Sequence, residues 1–184
     1  MSKQLQYIKS DLGRYIGQEK TSIGNILLFY IRNTGFRFSF WFRLCNSKNL
    51  IIKWVAIINH RRLSRKYMLD IPRSTKIGYG LYIGHGGCVV INPTATLGDN
   101  VNLSQFTTIG SNNGKAATIG NNVYIGPNVC ILEDVIIGDE TKIGAGSVVT
   151  KNADCNSVYV GAPAKKIKEV NINDLISRRY ITAA

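Results

Sequence analysis

The two histidines of this 184-residue chain stand in different surroundings. His85 lies between glycines in residues 83–88 (IGHGGC), so its imidazole is uncrowded and another group can approach it closely. An imidazole titrates near neutral pH in water, which suits a general base that removes the proton of a hydroxyl. His60 precedes a basic cluster at residues 61–66, and we predict that it is a solvated residue on a helix surface. From its position in the sequence alone, His85 could equally be a structural residue on the surface of a coil.

A six-residue period runs from about residue 71 to residue 154 and must form the element that carries His85. Each hexad begins with an aliphatic residue, which glycine often follows. Helices do not repeat every six residues and flat amphipathic strands repeat every two, whereas a β-helix solenoid of stacked coils has this period. The leading aliphatics are Ile71, Ile77, Ile83, Ile91, Leu97, Leu103, Ile109, Ile119, Ile125, Ile131, Ile137, Ile143 and Val149.

Three hexads are expected to form one triangular coil of this solenoid. Equivalent positions then recur about every 18 residues, and neighbouring coils lie at the strand spacing of roughly 4.8 Å. The leading aliphatics point inward and stack in columns. We therefore predict a mainly β fold with three parts: a short α-helical segment at 1–69, a parallel β-helix at 70–158 and a tail at 159–184.

The formal net charge of +12 is unevenly distributed along the chain. Residues 1–69 hold 13 Lys or Arg and 2 Asp or Glu, residues 70–150 hold 4 and 6, and residues 151–184 hold 6 and 3. The basic character belongs to the N-terminal segment and the tail, while the repeat region is nearly neutral. Since no recognition-helix or RNA-binding motif accompanies it, we predict no nucleic-acid partner.

The cysteines and the N-terminal residues indicate the cellular compartment in which the protein is expected. The four cysteines are scattered without C-x-x-C spacing, and no secretory signal opens the sequence. We therefore expect reduced thiols in a cytoplasmic protein.

Residues 3–16 and 22–32 of the N-terminal segment look helical, with Leu5, Ile8, Leu12 and Tyr15 at helix spacing in the first. We predict a further helix from Leu50 to about Met68. Residues 35–44 (GFRFSFWFRL) combine aromatic and basic side chains, and we interpret the aromatic ones as packing residues. The longest uncharged apolar run, residues 21–31, is shorter than the roughly 20 residues that span a bilayer. Two roles stay open: a helical cap on the solenoid, and peripheral contact with the inner face of a membrane.

The repeat region resembles the solenoid of serine O-acetyltransferases, over about residues 70–168. Residues 70–80 (DIPRSTKIGYG) and His85 match its start, and residues 143–150 (IGAGSVVT) and 160–165 (VGAPAK) match an ending shared by hexapeptide acyltransferases. The resemblance implies a left-handed β-helix. It also implies a dyad in which Asp70 orients His85 while the imidazole deprotonates an acceptor hydroxyl.

The same resemblance implies acetyl-CoA as co-substrate and a homotrimer with the donor groove between adjacent subunits. Backbone groups at coil corners would hold the pantetheine arm, and lysines would lie near the nucleotide phosphates. A backbone N–H near Gly110 would stabilise the oxyanion. No metal is implied. The implied donor-site residues are Gly110, Ser111, Gly126, Pro127, Gly144, Ala145, Lys151, Lys165 and Lys166.

The chain departs from the serine-acetyltransferase pattern at the groups that hold serine. Gly84 stands where those enzymes have Asp before the catalytic His, and loop 111–117 (SNNGKAA) is shorter and has Lys-Ala in place of Arg-His. Residues 79–87 (YGLYIGHGG) are closer to the related enzymes of capsule and exopolysaccharide gene clusters, such as the colanic acid acetyltransferases. The implied acceptor is a sugar hydroxyl of a capsular or exopolysaccharide, and the implied acceptor-site residues are Gly84, Gln105, Asn112 and Lys115.

Other functions stay open on the sequence. A serine O-acetyltransferase of cysteine biosynthesis, an amino-sugar N-acetyltransferase and a binding or scaffold protein without turnover would share this solenoid. A hexapeptide carbonic anhydrase would need three histidines on zinc, and His85 is the one histidine of the repeat region.

Overall fold

The predicted solenoid is confirmed in the structure, a computed structural model that describes residues 2–171 and 176–181. Short strands follow one another along the chain after the helical segment. They are β1 (Leu69–Asp70), β2 (Lys76–Ile77), β3 (Tyr82–Ile83), β4 (Val89–Ile91), β5 (Thr96–Leu97), β6 (Asn102–Leu103), β7 (Thr108–Ile109), β8 (Thr118–Ile119), β9 (Tyr124–Ile125), β10 (Cys130–Ile131), β11 (Ile136–Ile137), β12 (Lys142–Ile143), β13 (Val148–Val149), β14 (Ser157–Val160) and β15 (Lys165–Glu169).

The strands form three parallel faces, because each coil contributes one strand to each face. Face 1 contains β1, β4, β7, β10 and β13, face 2 contains β2, β5, β8 and β11, and face 3 contains β3, β6, β9, β12, β14 and β15. The last pair, β14 and β15, is antiparallel. The turns between faces stack into edges, which we call the 1–2, 2–3 and 3–1 edges.

The interior of the solenoid is formed by the leading aliphatics of the hexads, as predicted. All thirteen are buried, with exposures of 8% or less. In each two-residue strand this residue points inward and its neighbour points outward, as the pleat of a strand requires. The same residues therefore supply both the apolar core and the backbone ladder between coils.

Two coils are longer than the three hexads predict. Cys130 pairs with Val148, 18 residues later, but Leu69 pairs with Val89 and Thr108 pairs with Cys130, at separations of 20 and 22 residues. The extra residues lie in the turn at 84–88, which contains His85, and in the loop at 111–117. Both insertions project from edges, where they leave the strand register of the faces intact.

Four α-helices precede the solenoid: α1 (Lys3–Ile16), α2 (Ile23–Arg32), α3 (Thr34–Leu44) and α4 (Leu50–Tyr67). The three predicted helices are confirmed, whereas α3 was not predicted. Its aromatic residues at 36, 38, 40 and 42 alternate along the sequence, which obscures the helical period. The burial pattern shows that period, because Phe36, Ser39, Phe42 and Arg43 are buried on one side. The interpretation of these aromatics as packing residues is confirmed for Phe36 and Phe38, which are fully buried.

An ion pair attaches the helical segment to the first coil. Arg43 of α3 contacts both carboxylate oxygens of Asp11 in α1 at 2.9 Å, and neither side chain is more than 4% exposed. Arg43 also donates to the carbonyl oxygens of Ile77 and Gly78, and the Leu81 N–H donates to Asp11. The helical segment therefore packs on the first coil, as the cap alternative expects, and charged side chains bond it to solenoid backbone.

The prediction that His60 is solvated is wrong. The residue is 7% exposed, and its Nε2 lies 3.1 Å from the carbonyl oxygen of Ile71, to which it donates. Burial lowers the pKa of His60 below the ordinary histidine value. The neutral ring acts as a structural link between α4 and the first coil, because α4 buries the side that carries His60.

The C-terminal boundary of the solenoid also differs from the prediction, which placed it after residue 158. That position falls inside β14, and β15 then folds back on β14. Farther along, Arg179 pairs with Glu140 at 2.6 Å, and Tyr180 stacks on Tyr79 with ring centroids 5.4 Å apart. Much of the predicted tail is thus part of the fold, while its residues 172–175 and 182–184 lie outside the described residues.

Candidate functional site

The 3–1 edge brings several predicted site residues into one line. Its turns stack through backbone bonds: Phe106 N–H to Cys88 at 2.7 Å, Asn128 N–H to Gln105 at 3.1 Å, and Gly146 N–H to Pro127 at 2.8 Å. At roughly 4.8 Å per coil, the edge extends about 14 Å from its first turn to its fourth. From the first coil upward it carries Gly84 and His85, then Gln105, then Gly126 and Pro127, then Gly144 and Ala145.

His85 occupies the insertion in the first turn of this edge. Its φ is 57° and that of Gly86 is 59°, both in the left-handed region that non-glycine residues rarely adopt. The exposed His85 side chain makes no hydrogen bond with the part of the chain that the structure describes. A cavity of about 210 Å³ lies beside it and is lined by Arg32, Asn33, Thr34, Gly35, His85 and Gly86.

The junction between α2 and α3 forms the wall of this cavity, which the sequence did not predict. Gly86 has no side chain at a point where a Cβ would lie 2.7 Å from Thr34 Cβ, so glycine permits the close approach. Arg32 thereby places a cation beside His85. Nothing in the local sequence around Arg32 signals this, since the contact depends on how the helices dock.

Asp70 does not contact His85 in the single chain. It is an exposed residue of β1 and lines a different cavity of about 670 Å³ with Arg61, Arg65 and Arg73. Among the described residues no hydrogen bond joins Asp70 to His85. The reason is that Asp70 is held in the strand ladder under Val90, whereas the insertion displaces His85 toward the helices. The dyad stays a prediction.

Gln105 lies one coil above the His85 turn. Its side-chain carbonyl oxygen is buried without a hydrogen-bond partner in the described residues. A buried acceptor without a donor is costly in a native structure and is commonly satisfied by a ligand or water. The acceptor-site role of Gln105 stays a prediction, and its side-chain oxygen is available to a donor from outside the described residues.

Two glycines of the 3–1 edge differ in the space around them: Gly126, which was predicted for the donor site, and Gly146, which was not. A Cβ on Gly126 would lie 2.9 Å from the Ala145 nitrogen, so this glycine allows neighbouring coils to pack closely. A Cβ on Gly146 would meet nothing within 4 Å, so the outer surface of the edge is open there. An extended thin chain could lie along this surface close to the backbone.

The three predicted lysines have different environments. Lys165 is exposed at the upper end of the 3–1 edge, where β15 begins. Lys166 contacts Glu169 at 2.6 Å and Asp154 at 3.8 Å, so it is paired rather than a free cation for phosphate. Lys151 follows β13 and lies on the 1–2 edge. Of the three, Lys165 fits the predicted phosphate contact best.

The loop at 111–117 lies on the 1–2 edge, separated from His85 by face 1. Four predicted residues are therefore not brought to His85 within one chain: Gly110, Ser111, Asn112 and Lys115. The Glu133 carboxylate organises the loop by accepting from the N–H groups of Asn112, Asn113 and Gly114. Ala116 is 4% exposed, so it offers no side chain to a ligand.

We expect loop 111–117 to lose its order in acid. The pKa of Glu133 is lowered to about 2 by hydrogen bonds to its carboxylate. The donors are the N–H groups of Asn113, Asn112 and Gly114 and the hydroxyl of Ser111. Because the pKa is lower in the folded state, the ionised carboxylate stabilises the loop fully at pH values above its ordinary pKa of 4.5. This stabilisation is lost as the pH falls toward 2 and the carboxylate is protonated. Glu133→Gln should remove this dependence. Amide exchange at residues 112–114 measures it, and equal pH profiles for both proteins would contradict the prediction.

A third cavity lies on face 3, close to the His85 turn. It has a volume of about 400 Å³ and contains the rings of Tyr15, Phe29, Tyr82 and Tyr124 beside Arg14, Asn102, Ser177 and Arg178. The Tyr15 hydroxyl bonds to the backbone of Ile83, directly before Gly84. Aromatic rings with amide and guanidinium groups are suited to bind a sugar ring and its hydroxyls. The sequence did not predict this cavity because α1, α2 and the tail form it together.

Comparison with known proteins agrees with this architecture. Residues 116–151 match the family described as bacterial transferase hexapeptide (six repeats). Serine acetyltransferase of Helicobacter pylori is 39% identical over 103 residues, 54% of this chain and 60% of that protein. Galactoside O-acetyltransferase of Escherichia coli is 38% identical over 112 residues, 53% of this chain and 55% of that protein.

Solved structures cover more of the chain. The serine acetyltransferase of Neisseria gonorrhoeae, in complex with serine, superposes with a TM-score of 0.72 at 28% identity over 90% of this chain and 69% of that one. The similarity therefore includes helices as well as coils. The chain spans 30% to 64% of the lengths of the curated relatives it matches.

Proposed function

We propose that this chain transfers an acetyl group from acetyl-CoA to a hydroxyl, because residues 116–151 of its β-solenoid match the hexapeptide family of bacterial transferases. The observation that carries the proposal is the 3–1 edge. It presents an uncrowded imidazole at its lower end, small residues along its length and the Lys165 cation at its upper end. Both acetyltransferase relatives described above support the same chemistry.

His85 is the general base of this reaction. An unprotonated ring nitrogen takes the proton of the acceptor hydroxyl as its oxygen bonds to the thioester carbonyl carbon. When the carbon–sulfur bond breaks, the imidazolium returns the proton to the leaving thiolate. Among the described residues, no group of three or more His, Cys, Asp or Glu side chains is placed to hold a metal ion.

A complete site requires a second copy of the chain. His85 and the small residues of the donor groove lie on the 3–1 edge, while Gly110, Ser111 and Lys151 lie on the 1–2 edge. A ring of three copies would place the 1–2 edge of one solenoid against the 3–1 edge of the next. We therefore propose a homotrimer in which loop 111–117 approaches the His85 of a neighbouring copy.

A sugar hydroxyl, as in a capsular or exopolysaccharide unit, is the acceptor that the geometry favours. The cavity beside His85 has Arg32 and polar groups but no carboxylate among its lining residues. The ammonium group of serine would lack a countercharge there, whereas a neutral or acidic sugar would not need one. The aromatic cavity on face 3 and the unpartnered Gln105 oxygen provide further sugar-binding chemistry close by.

Serine is the second candidate acceptor, and the comparisons favour it over a sugar. Most of the named relatives are serine acetyltransferases, including the one from Staphylococcus aureus at 33% identity over 136 residues. A neighbouring subunit could supply the carboxylate that the single chain lacks beside His85. The donor chemistry and the role of His85 would be the same.

Thiol release from acetyl-CoA distinguishes the two acceptors. Wild type would be tested with L-serine, monosaccharides, nucleotide sugars, an amino-sugar nucleotide and capsular oligosaccharides. We expect turnover with a glycan hydroxyl and not with serine, and Arg32→Ala should raise the acceptor KM and leave the acetyl-CoA KM unchanged. Turnover with serine alone would establish the second candidate, and failure to bind CoA would refute acetyl transfer altogether.

A further inference from the structure

Two helices expose apolar faces that the fold leaves uncovered. On α4, an apolar patch consists of Leu50, Ile51, Trp54, Val55 and Ile58, with exposures between 45% and 77%. On α2, Ile23, Leu27 and Ile31 are 61% to 70% exposed. Most of the exposed large apolar side chains in the described residues lie on these two helices. Clustered exposure of this kind marks an interaction surface rather than ordinary surface composition.

The exposed face of α4 changes from apolar to basic along its length. Residues seven apart lie on the same side of a helix, so Trp54, Val55 and Ile58 are continued by Arg61, Arg62 and Arg65. All three arginines are exposed. Trp54 is 64% exposed and lies about two helical turns before Arg61, the first of these arginines. We call these arginines the basic α4 cluster and the five apolar residues the apolar α4 patch.

Charge identifies the partner of this surface. Residues 20–69 contain ten Lys or Arg and no Asp or Glu, and the Asp11 carboxylate is fully used by Arg43. Asp70, which follows directly, is an exposed carboxylate that lines a cavity with Arg61 and Arg65. A second copy that docked through the same helices would therefore bring many cations together with few acidic partners. An apolar surface joined to a basic one, with tryptophan near the join, has the composition of a segment that lies in the interface of an anionic membrane.

We propose that α4, assisted by the apolar face of α2, binds this protein peripherally to the surface of an anionic lipid bilayer. The apolar α4 patch enters the boundary between headgroups and acyl chains, to a depth of about 5–10 Å. The basic α4 cluster then lies at the level of the lipid phosphates. None of the helices in the described residues has the length and apolar character to cross a bilayer. The proposed peripheral contact goes beyond the proposed acetyl transfer.

Tryptophan emission tests this binding without any assay of activity. The chain has two tryptophans, and Trp41 is partly buried with its indole N–H bonded to Tyr30. The difference between wild type and Trp54→Phe therefore reports on Trp54. Vesicles of phosphatidylcholine mixed with phosphatidylglycerol should shift this emission to the blue, and vesicles of phosphatidylcholine alone should not. Co-sedimentation with the same vesicles measures affinity.

Substitutions separate the two contributions to binding. Ile51→Gln combined with Ile58→Gln should weaken vesicle binding by about tenfold for each side chain. Arg61→Gln, Arg62→Gln and Arg65→Gln together should weaken it by about a hundredfold. Ile136→Gln is the matched control, because Ile136 is 54% exposed on face 2 of the solenoid, and it should bind like wild type.

Several results would overturn the proposal. Absence of co-sedimentation with anionic vesicles would refute it directly, and equal binding to both kinds of vesicle would refute the role of the basic α4 cluster. Trp54 emission that is already blue-shifted without vesicles, and changes with protein concentration, would show that a second copy covers the patch. Unchanged size and circular dichroism of the variants would show that lost binding is not lost folding.

Discussion

His85→Ala should lower acetyl transfer by about 10²–10⁴-fold, the usual contribution of a positioned general base. The imidazole is exposed on an inserted turn and bonds to no other described residue, so its removal should not affect the fold. The expected measurement is thiol release from acetyl-CoA with the acceptor identified in the panel, together with the size of the assembly. Activity within a few-fold of wild type in an intact assembly would refute the assignment.

His60→Gln is the matched control for this variant. His60 is the other histidine of the chain, and its role in the structure is the bond to the Ile71 carbonyl oxygen. Glutamine retains a donor, so transfer by the folded protein should be close to that of wild type. Asp70→Asn then tests the predicted dyad. A lower rate with Asp70→Asn would support the predicted dyad, and an unaltered rate would remove Asp70 from the mechanism.

Asp11→Ala should destabilise the protein by about 3–5 kcal/mol, because it leaves the Arg43 guanidinium buried without its counterion. Arg43 is 5% exposed and Asp11 is fully buried, so water cannot replace the lost carboxylate. The Leu81 N–H would lose its acceptor in the same variant. Thermal and urea unfolding measure the effect.

Two further variants test whether the unpaired charge is the cause. Asp11→Ala combined with Arg43→Met should be less destabilising than Asp11→Ala alone, since no charge then remains buried. Glu140→Gln breaks the 2.6 Å pair with Arg179, whose side chain is 29% exposed, and should cost about 1 kcal/mol or less. A loss below about 1 kcal/mol for Asp11→Ala would contradict the buried-pair argument.

Much of the fold could be predicted from the sequence because its causes are local. The hexad period places one aliphatic in each strand, and the same residue provides core and register, so the order of the faces follows directly. Helices α1 and α2 have clear periods as well. Helix α3 escaped prediction because its phenylalanines alternate, although the buried residues recur at helical spacing once the helix has docked.

The candidate site was only partly predictable, because only some of its contacts have local causes. Gly126 and Gly144 recur at one corner because a period of three hexads separates them. Gly84, His85 and Gln105 lie on the same edge because the insertions at 84–88 and 111–117 project from edges and leave the strand register intact. The tertiary structure decided what faces this edge: Arg32 stands beside His85, His60 is buried, and Lys166 is paired with Glu169. These contacts join residues that are distant in sequence or belong to docked helices and a folded-back strand, so no local pattern encodes them.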